Sequence, residues 1–263
     1  MGRRRSGPED IGVIKMAYLK TTAAFLITGM AAIVYIPAAA LLFIIGLFNL
    51  KRPMSFVLYK LAQAWARIII IITGCPMTVS GRENIPKKGG LCFVSNHVGI
   101  FDIVLALAYA GRPFGFIAKK ELLFLPGINI WIYLLGGLFI DRRQPRKALK
   151  TINLGVKRIK AGGAMMVFPE GTRSRGRGLA AFHPGSLKLA SQSEALIIPV
   201  AISGSFDVFE KNHLINTVPV CINFLTPMDP ADIPPQDRKN LLAEKLHDSI
   251  AEVLDRQGGN KPS

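Results

Sequence analysis

Two titratable side chains five residues apart, His97 and Asp102, sit in the run Asn96-His97-Val98-Gly99-Ile100-Phe101-Asp102. An imidazole beside a carboxylate is held in one tautomer, which leaves its other ring nitrogen free to act as a general base. Within one helix, five residues amount to about 500° of rotation, so the two side chains would diverge. They can meet if His97 lies in a turn and Asp102 in the first turn of the helix that follows, where its charge also suits the helix dipole. The flanking sequence provides for this. Leu91-Cys92-Phe93-Val94-Ser95, preceded by Gly89-Gly90, reads as a buried strand, and the apolar run 103–108 reads as a helix. Taken alone, the pair is also what a surface histidine beside a helix-starting aspartate would give.

Three later stretches add chemistry. Gly137-Leu138-Phe139-Ile140-Asp141-Arg142 is a strand ending in charge. Phe168-Pro169-Glu170-Gly171-Thr172-Arg173-Ser174 is a strand running into a tight polar loop, and Ile198-Pro199-Val200 is an apolar strand interrupted by proline. Between residues 141 and 188 there are twelve Lys or Arg against two acids. Arginine's planar fork binds phosphate bidentately, and a neighbouring glycine lets backbone N–H groups approach, so Arg142 and Arg173 beside Gly171 and Thr172 form a candidate anion clamp. Glu170, an acid among them, either braces the loop or binds an acceptor hydroxyl. The basic run 146–160 reads as a solvated helix face beside anionic headgroups.

These elements need a scaffold. The predicted strands are 77–80, 91–95, 115–118, 137–140, 164–168, 196–202 and 219–224, and the predicted helices 103–110, 146–160, 185–192 and 237–256. Strands alternating with helices imply an α/β domain over 75–263 with a mixed sheet flanked by helices. Residues 1–74 have another character. Arg3-Arg4-Arg5 open a basic start, and 21–50 carry no charge over a length sufficient to cross a bilayer. Pro37 lies near the middle, and a bend there would leave both basic flanks on the cytoplasmic face. The apolar stretch 54–73, with only Lys60 and Arg67 charged, reads as a second, partly embedded helix against the first. The expectation is a membrane-embedded two-helix segment ahead of the α/β domain, and a frayed tail from Gly258.

Composition agrees with a lipid surface. The 263 residues hold 33 Lys and Arg against 17 Asp and Glu, yet half are hydrophobic. A basic, apolar chain without helix-turn-helix, zinc-finger or aromatic-interleaved basic motifs points to anionic lipid and away from nucleic acid. The three cysteines are widely spaced, so neither a disulfide framework nor a metal site is expected.

Taken in order, the stretches at 97–102, 137–142, 168–174 and 198–200, with Ala118-Lys119-Lys120-Glu121-Leu122 between the first two, resemble the glycerolipid acyltransferases, the family of lysophosphatidic acid and glycerol-3-phosphate acyltransferases. The resemblance covers roughly 79–200. It implies that His97, oriented by Asp102, deprotonates the free hydroxyl of 1-acylglycerol-3-phosphate (lysophosphatidic acid), which attacks the thioester of acyl-CoA or acyl-carrier protein to give phosphatidic acid. It further implies that Arg142, Glu170, Gly171, Thr172 and Arg173 bind the acceptor phosphate, that Lys119 or a backbone N–H serves the oxyanion or the donor, and that Pro199 shapes the pocket wall. No metal or cofactor is implied, and the absence of a G-x-S-x-G elbow fits a reaction in which the acceptor is the nucleophile. The alternatives are a relative acting on glycerol-3-phosphate or a lyso-aminolipid, and a non-catalytic membrane adaptor that binds anionic lipid.

Overall fold

The structure, a computed structural model, describes residues 8–46, 51–125, 127–234 and 236–258. The Arg3-Arg4-Arg5 cluster, the end of the uncharged stretch at 47–50 and the tail from 259 lie outside them. Two long helices come first, α1 (Pro8–Gly46) and α2 (Lys51–Thr73). Then follow β1 (Met77–Ser80), β2 (Leu91–Ser95), α3 (Phe101–Tyr109), β3 (Gly115–Lys119), α4 (Ile128–Leu134), β4 (Leu138–Ile140), α5 (Pro145–Lys160), β5 (Ala164–Val167), α6 (Lys188–Ser193), β6 (Leu196–Ser203), α7 (Ser205–Val208), β7 (Val220–Phe224) and α8 (Arg238–Gly258). All seven predicted strands and all four predicted helices of the α/β region are present, with ends shifted by up to three residues. The short helices α4 and α7 are not among those predicted.

The strands form one mixed sheet in the order β1-β7-β6-β2-β5-β3-β4. β6, β2, β5, β3 and β4 run parallel, while β7 turns antiparallel to β6 and carries β1 parallel to itself. Every residue of β2 is buried, as expected for a central parallel strand covered on both faces. Side-chain alternation divides it between two cores. Leu91 and Phe93 join the cluster built with α2 and α3, and Cys92 and Val94 join the one built with α5, α6 and α8. The sheet is therefore the middle of three layers. Burial pushes the Cys92 thiol up to about 12, so it is an inert part of that core.

Helix α2 is part of this packing. Tyr59, Ala62, Ala66, Ile69 and Ile70, spaced three, four or one residue apart, face the core, and Gln63 Nε2 donates to the carbonyl of Ala108 on α3 at 3.3 Å. Its other side exposes Phe56, Val57, Leu61, Ile68 and Ile71. Helix α1 runs unbroken through Pro37, so the expected bend is not a break in the helix. Proline removes one intrahelical donor, and the ladder resumes on either side of it. Both helices contain segments long and apolar enough to cross a membrane, Ile11–Ile33 and Phe56–Thr73. Lys20 of α1 ties the pair together by donating to the carbonyl of Thr73 at 2.9 Å.

Because the five parallel strands share a direction, their carboxyl ends gather at one edge of the sheet, the usual place for a ligand site in α/β folds. The chain is held there by Asn96, which follows β2. Its amide copies a backbone pair, donating to the carbonyl of Ile202 at 2.8 Å and accepting from the Ile202 N–H at 2.8 Å. Asn96→Ala leaves both Ile202 groups buried without partners, at a cost of about 1–3 kcal/mol each. A lowered urea midpoint is the expected result. Asn96→Asp, which keeps the acceptor but sets a carboxylate against the Ile202 carbonyl, is expected to be no better.

Candidate active site

His97 lies in the turn after β2 and Asp102 is the second residue of α3, the arrangement that the five-residue spacing requires. Nδ1 of His97 is 2.7 Å from Asp102 Oδ2. A carboxylate only accepts, so Nδ1 carries the proton and the lone pair belongs to Nε2. The imidazole lies flat against Phe168, with ring centroids 4.1 Å apart and planes at 22°. With one edge bonded and one face packed, the ring is fixed in orientation while its side chain stays 19% exposed. Asp102 is fully buried. Its Oδ2 also accepts from the backbone N–H groups of Val98 at 2.7 Å and Gly99 at 3.0 Å, and its Oδ1 accepts from the Ser205 hydroxyl. These donors offset the cost of burying the charge.

Two more carboxylates grip the same turn. Glu170 Oε1 accepts from the N–H of His97 at 2.6 Å, and its Oε2 accepts from the N–H of Ala180 at 3.1 Å. Glu210 Oε2 accepts from the N–H of Ile100. Four successive N–H groups, residues 97 to 100, thus end on three acidic side chains from separate parts of the chain. The carbonyls face the other way. His97 and Val98 accept from the N–H groups of Ser174 and Arg175, at 2.7 and 3.1 Å, so the loop after β5 docks onto the turn as a second layer. Of the two roles open to Glu170, this geometry matches the brace, because both of its oxygens are engaged by backbone. Burial raises its carboxyl above the ordinary range, and the two N–H donors pull it part of the way back.

Two arginines mark the loop at 170–173. Arg142, from the end of β4, donates through Nη1 to the carbonyl of Gly171. Arg173 Nη1 is paired with Glu210 Oε1 at 2.5 Å. Gly171 adopts φ +76°, which bends the loop so that the N–H groups of Thr172 and Arg173 have no acceptor among the described residues. Lys120, next to the predicted Lys119, bonds Asp141 at 2.9 Å and holds that carboxyl below its usual range.

Lys119 is not brought to the histidine. It ends β3, with β5 intervening before β2, a lateral separation of about 10 Å. Its side chain is 65% exposed and pairs with Glu121. Pro199 is buried inside β6, where its carbonyl accepts from Leu225. Its missing donor falls on the β7 side, just before the β6–β7 pairing begins at Val200. Ser205 and Glu210 were absent from the sequence-derived set, and no local pattern marks either one. Among the described residues no group of three or more His, Cys, Asp or Glu side chains is arranged to hold a metal ion.

Residues 76–203 match the family model described as Acyltransferase. A 1-acyl-sn-glycerol-3-phosphate acyltransferase of Borreliella burgdorferi is 30% identical over 203 residues, covering 77% of this chain and 80% of that protein. The Escherichia coli protein of the same name is 32% identical over 181 residues, covering 66% and 74%. The crystal structure of the 1-acyl-sn-glycerophosphate (LPA) acyltransferase PlsC from Thermotoga maritima superposes with a TM-score of 0.76 at 22% identity, over 94% of this chain and 98% of that one, a likeness of fold. With the histidine–aspartate pair at the carboxyl edge of the same sheet, these similarities show that the chain belongs to the acyltransferase family.

Proposed function

We propose that the protein transfers an acyl group from a thioester donor to the free hydroxyl of 1-acylglycerol-3-phosphate, giving phosphatidic acid. The observation that carries this reading is the 2.7 Å contact between His97 and the buried Asp102, which leaves Nε2 as a base in a setting rich in arginine. Nε2 takes the proton of the acceptor hydroxyl as its oxygen attacks the thioester carbonyl. The imidazolium formed is stabilised by Asp102, and the tetrahedral intermediate collapses by breaking the C–S bond. The departing thiolate, of coenzyme A or of a carrier protein, then takes the proton back from Nε2. The unpartnered N–H groups of Thr172 and Arg173 are suited to an anionic oxygen, with Arg142 and Arg173 supplying charge for the acceptor phosphate. The reading calls for no cofactor, since the acceptor itself is the nucleophile.

The apolar outer faces of α1 and α2 support a site held at the membrane, where both acyl substrates reside, and the basic surface fits the anionic cytoplasmic leaflet. The names of the Borreliella burgdorferi and Escherichia coli relatives favour lysophosphatidate over other acceptors.

His97→Ala is expected to lower turnover of 1-acylglycerol-3-phosphate by at least the ~10²–10⁴-fold that general-base help supplies. Sedimentation with anionic vesicles should be unchanged. Undiminished phosphatidic acid formation, read by mass spectrometry, would remove His97 from the chemistry. Arg142→Ala is expected to raise the acceptor KM by roughly 10-fold or more, the worth of a charged hydrogen bond, and to leave the donor KM alone. Arg142→Lys, which keeps the charge without the fork, should fall between the two. An unaltered acceptor KM in both variants would point to an acceptor without phosphate.

A further inference from the structure

Glu210 belongs to none of the stretches that carry the family resemblance, yet it touches two of them at once. It follows α7, and its side chain is 12% exposed. One oxygen accepts from the N–H of Ile100 in the His97 turn, and the other holds Arg173 Nη1 at 2.5 Å. Access to the turn depends on Gly99, where a Cβ would stand 2.6 Å from Glu210 Oε2. The segment behind Glu210 is fastened to α1. Phe209 meets Phe25 edge to face with ring centroids 6.0 Å apart, the N–H of Ile215 donates to Thr21 Oγ1 at 2.8 Å, and Lys20 donates to Thr217 Oγ1 at 2.6 Å.

We infer that Glu210 is a positioning residue for the acceptor side of the site, fixing the guanidinium of Arg173 and the last N–H of the turn that presents His97. The inference rests on the reading of Arg173 as a ligand of the acceptor phosphate. The guanidinium has five N–H donors in one rigid plane, so tethering one nitrogen sets the direction of the others and leaves them free for an anion. Two effects of Glu210 oppose each other. Its negative charge repels a phosphate, whereas its hydrogen bonds hold Arg173 where the phosphate must arrive. In a shielded site the orientation of a charged fork decides whether a bidentate contact forms at all, so positioning outweighs repulsion.

The sign of the effect separates the two. Glu210→Ala in the full chain is expected to raise the KM for 1-acylglycerol-3-phosphate by about tenfold, while the donor KM stays within about twofold. Glu210→Gln, which keeps one acceptor oxygen for one of the two donors, should lie between. If the alanine variant does not fold, Glu210→Asp, one methylene short of its partners, is read by the same criteria. A lowered or unchanged acceptor KM, or a fall in kcat and melting temperature with no split between the two substrates, would overturn the inference. The dissociation constant of 1-acylglycerol-3-phosphate, measured in detergent for the wild type and each variant, keeps this inference separate from the proposed activity. Wild type that binds the lipid without acylating it refutes the activity alone. Positioning is then upheld by about tenfold weaker binding in Glu210→Ala and overturned by equal binding. Wild type that neither binds nor acylates it overturns both.

Discussion

Four consecutive backbone N–H groups, those of residues 97 to 100, have left any secondary-structure ladder and find their acceptors in side chains. Carboxylates answer them. Asp102, Glu170 and Glu210 come from α3, from the loop after β5 and from the segment after α7, so closing this one turn requires three distant parts of the chain to be in place. The same demand explains why so much acid can be buried in so small a volume of a strongly basic protein. Each charge is met by backbone N–H dipoles, and two of the three also have an ionisable or cationic partner, His97 for Asp102 and Arg173 for Glu210. The turn is therefore built before any substrate arrives, and preorganisation of this kind is where much catalytic power originates.

The sheet supplies the coordinates for that arrangement. Parallel strands deliver their carboxyl ends to one edge, so residues from 97 to 205 meet although they are separated by whole βα units. Asn96 shows how tightly the last strand residue is tied to the first turn residue, since its side chain extends the β2–β6 pairing by one further step. The imidazole inherits its place from that pairing and its tilt from Phe168.

Much of this was legible in the residues themselves. Short apolar runs bounded by glycine, proline and charge marked the central strands, because parallel strands covered on both faces are built mostly of apolar residues. The spacing of His97 and Asp102 carried its own geometric condition, which the turn and α3 meet. What could not be read was partnership across distance. Ser205 lies 103 residues from the carboxylate it caps, and a serine in a Gly-Ser pair carries no mark of that role. Glu170 could be named as odd but not assigned, since nothing local shows which backbone groups its oxygens meet. Lys119 shows a limit of another kind. The family resemblance implied a role for it toward the oxyanion or the donor, and residue order alone did not show that β5 lies between it and the histidine.

A helix long and apolar enough to cross a membrane can ordinarily exchange one apolar residue for another without penalty. On α1, however, Lys20, Thr21, Phe25 and Thr28 recur along a single stripe, and each meets α2 or the stretch between Phe209 and Thr217. Drift in descendants of this gene should be lopsided: permissive around most of the circumference, and stringent along the stripe whose contacts end on α2 and on Phe209, Ile215 and Thr217, the residues flanking Glu210. What looks like a generic greasy rod is, on that side, fitted to particular partners.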